Sequence, residues 1–260
     1  MLAALLSTAL VYAPSAPASA RCAHTGSPAN QLRVTPYADP RVDLDPADAT
    51  VRRAGKRILV LGSARTEMLR CSGPPPTVSN TKEIVFRLRG LSFGNLDLSG
   101  GPPAPRTVFH AAGGALGYGY VWGTRAADRW RIAGNARAFG WRLDGSRSGP
   151  FDVILNGPGK KVAVAETRGG GDRVDASGVR HRRGLVLLKG GPGEDTLTGS
   201  RFRNVLDGGP GQDILLASVG MDHIFARDGF RDEIRCGGGR DTVSRDRRDV
   251  VSGCERRARS

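Results

Sequence analysis

The sequence predicts an all-β fold made of short strands and tight turns. Glycine and proline contribute 37 and 16 of the 260 residues, roughly a fifth of the chain where average usage is about an eighth. This density of turn residues disfavours long helices. Residues 86–100 (FRLRGLSFGNLDLSG) contain alternating runs typical of half-buried strands. With a nine-residue period near the C-terminus, these features favour one continuous β-solenoid, irregular in its N-terminal half and regular at its C-terminal end.

Residues 1–20 predict a secretory signal peptide. They carry no charged side chain, and their apolar run is too short to span a bilayer as a helix. Ala18, Ser19 and Ala20 match the A-x-A pattern of a cleavage site. Cleavage there would leave Arg21 at the N-terminus of a secreted, extracellular protein; a buried N-terminal segment is the alternative. No other stretch is long and apolar enough for a transmembrane helix, so no membrane anchor is expected.

The cysteines favour disulfides over a metal site. Their number is four, an even count in a chain that is predicted to be exported. No C-x-x-C pair occurs and the four histidines are isolated, so a zinc site has little support.

A nine-residue repeat runs from Gly190 to Ser244. Its six copies read GGPGEDTLT, GSRFRNVLD, GGPGQDILL, ASVGMDHIF, ARDGFRDEIR and CGGGRDTVS, the fifth having one extra residue. One column of the copies holds an acidic residue or its amide: Asp195, Asn204, Asp213, Asp222, Asp232 and Asp241. A second column holds a large aliphatic residue: Leu197, Leu206, Leu215, Ile224, Ile234 and Val243. Both columns keep step through the insertion, which indicates a structural period.

This register resembles the G-G-x-G-x-D-x-U-x nonapeptide of the RTX, or haemolysin-type, calcium-binding repeat family. Residues 190–198 and 208–216 match every defined position, and the other copies are degenerate. The resemblance implies a parallel β-roll in which two nonapeptides form one coil, so that loops two copies apart stack on the same edge and share a calcium ion. PTVSNTKEI (76–84) and LDLSGGP (96–102) extend the resemblance to small secreted RTX-like proteins of actinobacterial type.

The residue types in the loops suit calcium. Glycine allows the backbone to curl with its carbonyl oxygens turned toward one point, and calcium takes about six to eight oxygen ligands from carbonyls and carboxylates. The candidate ligand residues are Gly190, Gly191, Gly193, Asp195, Gly208, Gly209, Gly211, Asp213, Asp222, Asp232 and Asp241. Asp195 and Asp213 are expected to be the chief carboxylate ligands. The alternative is a set of glycine turns whose Asp side chains only bond to the backbone.

The arginines near the loops predict weak calcium sites, because cations within a Debye length lower calcium affinity. They are Arg201, Arg203, Arg227, Arg231 and Arg240.

The coil implied by the resemblance also bears on the cysteines. Cys236 and Cys254 are separated by 18 residues, one full coil of two nonapeptides. Adjacent coils in a parallel sheet lie about 4.8 Å apart, a distance that a disulfide can bridge. We therefore expect a Cys236–Cys254 bridge at the end of the chain, and Cys22 would then pair with Cys71.

The predicted organisation has three parts: a signal peptide (1–20), an irregular β-rich, solenoid-like region (21–165) and an RTX-like calcium-binding β-roll with a C-terminal cap (166–260). The period blurs upstream without vanishing, since Asp128 and Asp172 keep the acidic position of the repeat.

The expected function is secreted calcium binding, with Ca²⁺ ordering the C-terminal coils. No G-x-S-x-G, H-E-x-x-H, P-loop or dinucleotide-binding motif is present, so no enzyme is predicted. The alternatives are an extracellular polysaccharide-active β-helix enzyme and a metal-free structural or adhesion module. Tyr118, Tyr120 and Trp122 could form an aromatic platform for sugars, although their alternation favours one strand face that packs inward.

The net charge of +14 points to anionic partners. Basic clusters at 52–57, 180–183 and 256–259 could contact an anionic cell-surface polymer, but solvated loops are the favoured interpretation. The absence of a nucleic-acid-binding motif argues against a specific nucleic-acid partner.

Overall fold

The structure is a computed structural model that describes residues 20–26, 29–36, 47–62, 68–88, 91–101, 106–111, 116–134, 138–143, 153–156, 161–180, 184–254 and 256–257. Residues 1–19 of the predicted signal peptide lie outside these ranges, and Ala20 begins the first strand. Strands, turns and loops account for the described residues, none of which lies in a helix. Within these ranges, therefore, no helix could cross a membrane.

The structure contains 24 strands in the described ranges. Those of the N-terminal part are β1 (Ala20–Thr25), β2 (Gln31–Pro36), β3 (Ala47–Ala54), β4 (Arg57–Leu61), β5 (Glu83–Leu88), β6 (Leu91–Asp97), β7 (Arg106–Ala111), β8 (Leu116–Trp122), β9 (Arg129–Gly134), β10 (Ala138–Arg142), β11 (Val153–Asn156) and β12 (Lys161–Glu166). Those of the C-terminal part are β13 (Arg173–Val179), β14 (Gly184–Lys189), β15 (Thr196–Thr198), β16 (Asn204–Asp207), β17 (Ile214–Leu216), β18 (Val219–Gly220), β19 (His223–Ala226), β20 (Glu233–Arg235), β21 (Gly238–Gly239), β22 (Thr242–Arg245), β23 (Val250–Ser252) and β24 (Arg256–Arg257).

These strands form two large sheets and one small one. Sheet A has 12 strands in the order β1-β2-β5-β7-β11-β10-β9-β13-β15-β17-β20-β23, and sheet B has 10 in the order β24-β22-β19-β16-β14-β12-β8-β6-β3-β4. A two-stranded sheet joins β18 to β21. From β13 to β17, successive strands alternate between sheets A and B.

Most neighbouring strands are parallel. Among the strands of the described ranges, the antiparallel pairs are β1–β2, β3–β4, β9–β10 and β10–β11, and two isolated bridges, Arg57–Thr77 and Leu61–Met68, are also antiparallel. The prediction of an all-β protein with parallel strands is therefore confirmed. Closure of the two sheets into a β-solenoid or β-roll stays a prediction.

Short strands of the repeat each direct one aliphatic side chain into a shared core. In sheet A, Leu197, Leu215 and Ile234 are the central residues of three-residue strands, and each is fully buried. Leu206, Ile224 and Val243 of sheet B join the same apolar cluster. Alternation along a strand explains why the residues flanking each of these side chains face away from the core.

Both pairs of cysteines are disulfide-bonded. Cys22–Cys71, with a Cα–Cα distance of 4.6 Å, involves β1 at one edge of sheet A. Cys236–Cys254, at 5.1 Å, joins the residues that follow β20 and β23 at the opposite edge. The Cys22–Cys71 bridge reinforces the backbone bonds between β1 and Ser72, in which His24 N–H donates to Ser72 O and Ser72 N–H donates to Cys22 O, and the Cys236–Cys254 bridge secures the segment that follows the edge strand β23.

The predicted boundary between residues 165 and 166 falls within β12. This strand pairs in parallel with β8 on one side and β14 on the other. The division of the chain into two regions stays a prediction.

Candidate metal centre

The turns of the repeat lie along two edges, which we name by the sheet that follows them. Edge A consists of the turns before β9, β13, β15, β17, β20 and β23, ending at Asp128, Asp172, Asp195, Asp213, Asp232 and Asp249. Edge B consists of the turns that lead into β16, β19 and β22, ending at Asn204, Asp222 and Asp241. The two edges therefore correspond to alternate nonapeptides.

Glycines in the consensus turns meet two different requirements. Gly193 and Gly211 each have a φ of +149°, a backbone conformation that side chains with a Cβ rarely adopt. Gly190 and Gly208 are needed for space, because a Cβ on either would collide with Oδ2 of the Asp that ends its own turn.

Consecutive turns of edge A stack through backbone hydrogen bonds. Gly191 N–H donates to the carbonyl of Gly208, and Gly193 N–H donates to that of Pro210, both at 2.9 Å. The turns at 190–195 and 208–213 are therefore direct neighbours, as the sequence predicts.

The aspartates of edge A form a continuous ladder. The backbone N–H of each donates to Oδ1 of the next. The N–O distances are 2.6 Å from Asp128 to Asp172, 2.7 Å from Asp172 to Asp195, 2.8 Å from Asp195 to Asp213, 2.9 Å from Asp213 to Asp232 and 3.1 Å from Asp232 to Asp249. Edge B repeats the pattern from Asn204 to Asp222 at 2.7 Å and from Asp222 to Asp241 at 3.0 Å. The aspartates predicted to lie together do so on both edges.

The second carboxylate oxygens in this ladder are the chemically informative atoms. Among the described residues, no hydrogen-bond partner reaches the buried Oδ2 atoms of five of them: Asp195, Asp213, Asp222, Asp232 and Asp241. Each of these residues is at most 1% exposed. A buried carboxylate oxygen without a donor is costly, and a bound cation would satisfy it. Hard oxygen donors from carboxylates and glycine-turn carbonyls are the set that calcium prefers, so the residues fit this ion.

Burial also shifts the protonation of the ladder. Desolvation raises the pKa of Asp195, Asp213 and Asp222 to about 7, and the N–H bonds that they accept oppose the shift. Burial likewise raises the pKa of Asp232 to about 6. Without a cation, these carboxyl groups therefore hold protons well above the pH range of an exposed Asp.

The structure adds acidic residues that the sequence did not nominate as ligands. Asp128, Asp172 and Asp249 extend the ladder of edge A. Of these, Asp128 and Asp172 carried a signal, since they keep the repeat register. Asp228 was missed entirely, although one carboxylate oxygen each from Asp213, Asp228 and Asp232 lie within 4.8 Å of one another.

Asn204 occupies a ladder position without needing a cation. Its amide nitrogen, which has two hydrogens to donate, lies 2.6–3.0 Å from four acceptors: the carbonyl oxygens of Ser200, Phe202 and Ala217 and Oδ1 of Asp222. Its Oδ1 accepts from the N–H and the hydroxyl of Ser200. This turn is satisfied by protein atoms alone.

The arginines near the turns differ in exposure. Arg201, Arg227, Arg231 and Arg240 are exposed. Arg203 is half-buried and lowers the pKa of Asp222, a smaller effect than that of burial. The weakness of the sites stays a prediction.

Two aromatic residues of β8 pack against other residues, but they do so on the face away from the main core. Tyr120 lies against a second apolar cluster of Val162, Val164, Leu187 and Val205, and the side chain of Tyr118 lies outside the described residues. Val121 belongs to the core between the sheets, so Tyr120 and Trp122 lie on the opposite face of β8. Trp122 is nevertheless only 4% exposed, with the Arg168 guanidinium 5.6 Å from its ring centroid. A buried ring cannot serve as an open platform for sugars.

Comparison with known proteins identifies the repeat. Residues 189–224 match the family model of the RTX calcium-binding nonapeptide repeat, in four copies. No curated protein and no solved structure matches the chain.

Proposed function

We propose that this chain, which carries RTX calcium-binding nonapeptide repeats at residues 189–224, is a secreted calcium-binding protein whose C-terminal turns are ordered by the ion. The observation that carries the proposal is the set of five buried Oδ2 atoms without a donor among the described residues. These atoms lie in the acidic column of the repeat, where a cation would neutralise closely spaced carboxylates.

Calcium would lie between successive turns of one edge. In the consensus pair, Asp195 and Asp213 supply carboxylate oxygens. The glycine turns supply carbonyl oxygens from Gly190, Gly191, Gly193, Gly208, Gly209 and Gly211. Asp222, Asp232 and Asp241 supply the same carboxylate chemistry further along the two edges.

Ion binding would couple to folding. Carboxylates stacked at successive turns repel one another when ionised, and a divalent cation removes that repulsion. The alternation of strands between sheets A and B supports a β-roll. The five buried Oδ2 atoms without a donor among the described residues all belong to residues 166–260, so this region would depend on calcium more than residues 21–165 do.

Two features support secretion. Residues 1–20 have the composition of a signal peptide, and all four cysteines are in disulfides, which persist in oxidising compartments. The contact with an anionic cell-surface polymer stays a prediction: Arg52, Lys56 and Arg57 are exposed on the β3–β4 hairpin, whereas residues 181–183 and 258–260 lie outside the described ranges.

The proposal is tested by titrating calcium into the purified protein and recording far-UV circular dichroism and thermal melts. We expect a higher melting temperature with calcium and its reversal by EDTA, with a much smaller response to magnesium, which demands a tighter octahedral site.

Matched variants locate the response. Asp213→Asn removes a buried carboxylate, and Glu194→Gln removes one negative charge from an exposed side chain in the neighbouring turn. The first should blunt the calcium response and the second should leave it intact. A melting temperature that does not respond to millimolar calcium would refute the proposal and leave a metal-free structural module.

A further inference from the structure

The turn at residues 227–232 departs from the repeat at its first two positions, where the consensus turns have glycine. Its sequence is RDGFRD, so Arg227 and Asp228 replace the first two glycines of the consensus. Asp228 is half-buried and stacks against the consensus turn 208–213.

The Asp228 carboxylate takes over a role that a backbone carbonyl plays elsewhere on edge A. In the preceding stacks, the N–H of the fourth residue of each turn donates to the third carbonyl of the next turn: Gly170 to Pro192 at 3.1 Å and Gly193 to Pro210 at 2.9 Å. The equivalent N–H of Gly211 donates instead to Oδ2 of Asp228 at 3.1 Å. A charged oxygen thus stands where the other stacks present a neutral one.

This substitution brings three carboxylates together. One oxygen each from Asp213, Asp228 and Asp232 lie within 4.8 Å of one another. Two oxygens bound to one calcium ion at roughly 2.3 to 2.6 Å can be at most about 5 Å apart, so the spacing suits one shared ion. Two of the residues, Asp213 and Asp232, are each 1% exposed, and their Oδ2 atoms have no partner among the described residues.

The following turn holds Asp228 in place. Asp228 N–H and Gly229 N–H both donate to Oδ2 of Asp246, at 3.0 and 2.7 Å. Oδ1 of Asp228 accepts from Phe230 N–H at 2.8 Å. The carboxylate is therefore oriented before any ion arrives, which reduces the entropy lost on binding.

We propose that Asp228 is a calcium ligand, and that the three-carboxylate site between the turns 208–213 and 227–232 is the tightest in the chain. The inference rests on the proposed calcium-binding function. It reverses the ranking expected from the sequence, which favours the two consensus turns. Each additional charged ligand raises calcium affinity, and the consensus pair has only Asp195 and Asp213 where this site has a third carboxylate.

The test compares two single-charge variants by calorimetric calcium titration with a competing chelator. Asp228→Asn keeps an oxygen acceptor for Gly211 N–H but removes the charge, and it should weaken the tightest binding step by about tenfold or more. Asp195→Asn removes a carboxylate from the consensus pair alone and should leave that step unchanged. At saturating calcium, the melting temperature of Asp228→Asn should be close to that of the wild type. Thermal melts measure it and establish that the variant folds.

The outcomes separate the two proposals. If the tightest binding step has the same affinity in Asp228→Asn as in the wild type, or if it is lost in Asp195→Asn instead, the three-carboxylate site is overturned. The proposed calcium binding still stands in either case. An Asp228→Asn protein that does not recover at saturating calcium assigns Asp228 a structural role and also overturns it. A wild-type protein that binds no calcium overturns the proposed function itself.

Discussion

On edge A, Asp195 and Asp213 each bond one carboxylate oxygen to a neighbouring N–H and bury the other without a donor among the described residues. On edge B, Asn204 stands at the same position of the repeat, and its amide nitrogen faces four oxygens within 3.0 Å. The same type of turn can therefore satisfy its buried oxygen atoms in two ways. At Asn204, the side-chain amide provides hydrogens for the surrounding carbonyl and carboxylate oxygens. At Asp195 and Asp213, the carboxylate adds another acceptor oxygen, and a cation would have to balance it.

The comparison indicates that single positions of the repeat differ in whether a buried side chain needs a cation. Asn204 provides internally what an ion would provide at Asp213, although both residues hold the same position of the repeat and each donates its backbone N–H to the next residue of its own edge. Degenerate copies of the repeat are therefore of different kinds. The copy with Asn204 is neutralised by its own amide, and the copy with Asp228 gains a carboxylate.

The largest expected effect is the response of the metal-free protein to pH. Burial raises the pKa of Asp195, Asp213 and Asp222 to about 7 and that of Asp232 to about 6. Between pH about 4 and 7 the folded protein therefore binds more protons than the unfolded chain, so its stability falls as pH rises through this window. Calcium binding should strengthen over the same window, because the ion displaces those protons.

Urea denaturation in EDTA at pH 5 and pH 7.5 measures this effect. The comparison of wild type with Asp213→Asn isolates one buried group, since the amide does not titrate, and the variant should show a flatter pH dependence. A metal-free protein that gains stability between pH 5 and pH 7.5, with no difference between wild type and variant, would contradict the assignment.

A smaller effect is expected from the disulfide that ends the ladder. Cys236 begins the last turn of edge B and is fully buried, and its partner Cys254 follows 18 residues later. The chain-entropy estimate for a loop of this length is about 3 kcal/mol, so Cys236→Ala with Cys254→Ala should lower the free energy of unfolding by about that amount. Chemical denaturation with and without calcium measures it.

Calcium tests whether the bridge and the ions act independently. If the bridge secures the chain end and the ions secure the carboxylate turns, the loss should persist at saturating calcium. The double variant Cys22→Ala with Cys71→Ala, at the other edge of sheet A, is the matched control for loss of a disulfide. Full compensation of the Cys236 variant by calcium would show that ions and bridge stabilise the same element.

The repeat period predicts much of this architecture, and its limits are physical. A nine-residue spacing fixes which side chains share a column, so Leu215 enters the core and Asp213 enters the ladder. Spacing does not say which hydrogen-bond donors reach the second oxygen of a carboxylate. That depends on neighbouring turns, and it is why the separate roles of Asn204 and Asp228 were not predicted.

The N-terminal half shows a second limit. Its sequence keeps the nine-residue period only at scattered positions such as Asp128, yet its strands continue the same two sheets. Longer strands such as β6 and β8 pair over seven residues, and the stacked rings of Phe86 and Phe109 lie 4.7 Å apart in the core. Backbone pairing and apolar packing need alternation but no fixed period, so this half carries a weaker sequence signal than turns that must curl around charged groups.

The sharpest test of the two-edge comparison is Asn204→Asp, whose expected effect is the smallest of the three. The substitution replaces a donor by an acceptor in front of the carbonyls of Ser200, Phe202 and Ala217. In EDTA it should destabilise the protein by about 1 to 3 kcal/mol, the cost of leaving buried polar groups unsatisfied. Saturating calcium should restore most of the loss, because the new turn presents the oxygen set of edge A. Gln212→Glu adds the same charge to an exposed side chain of the repeat and should stay within about 0.5 kcal/mol of wild type in both conditions. An Asn204→Asp protein that is equally destabilised with and without calcium would mean that edge B cannot accept an ion there, and that the amide is a structural bond and not a substitute for the metal.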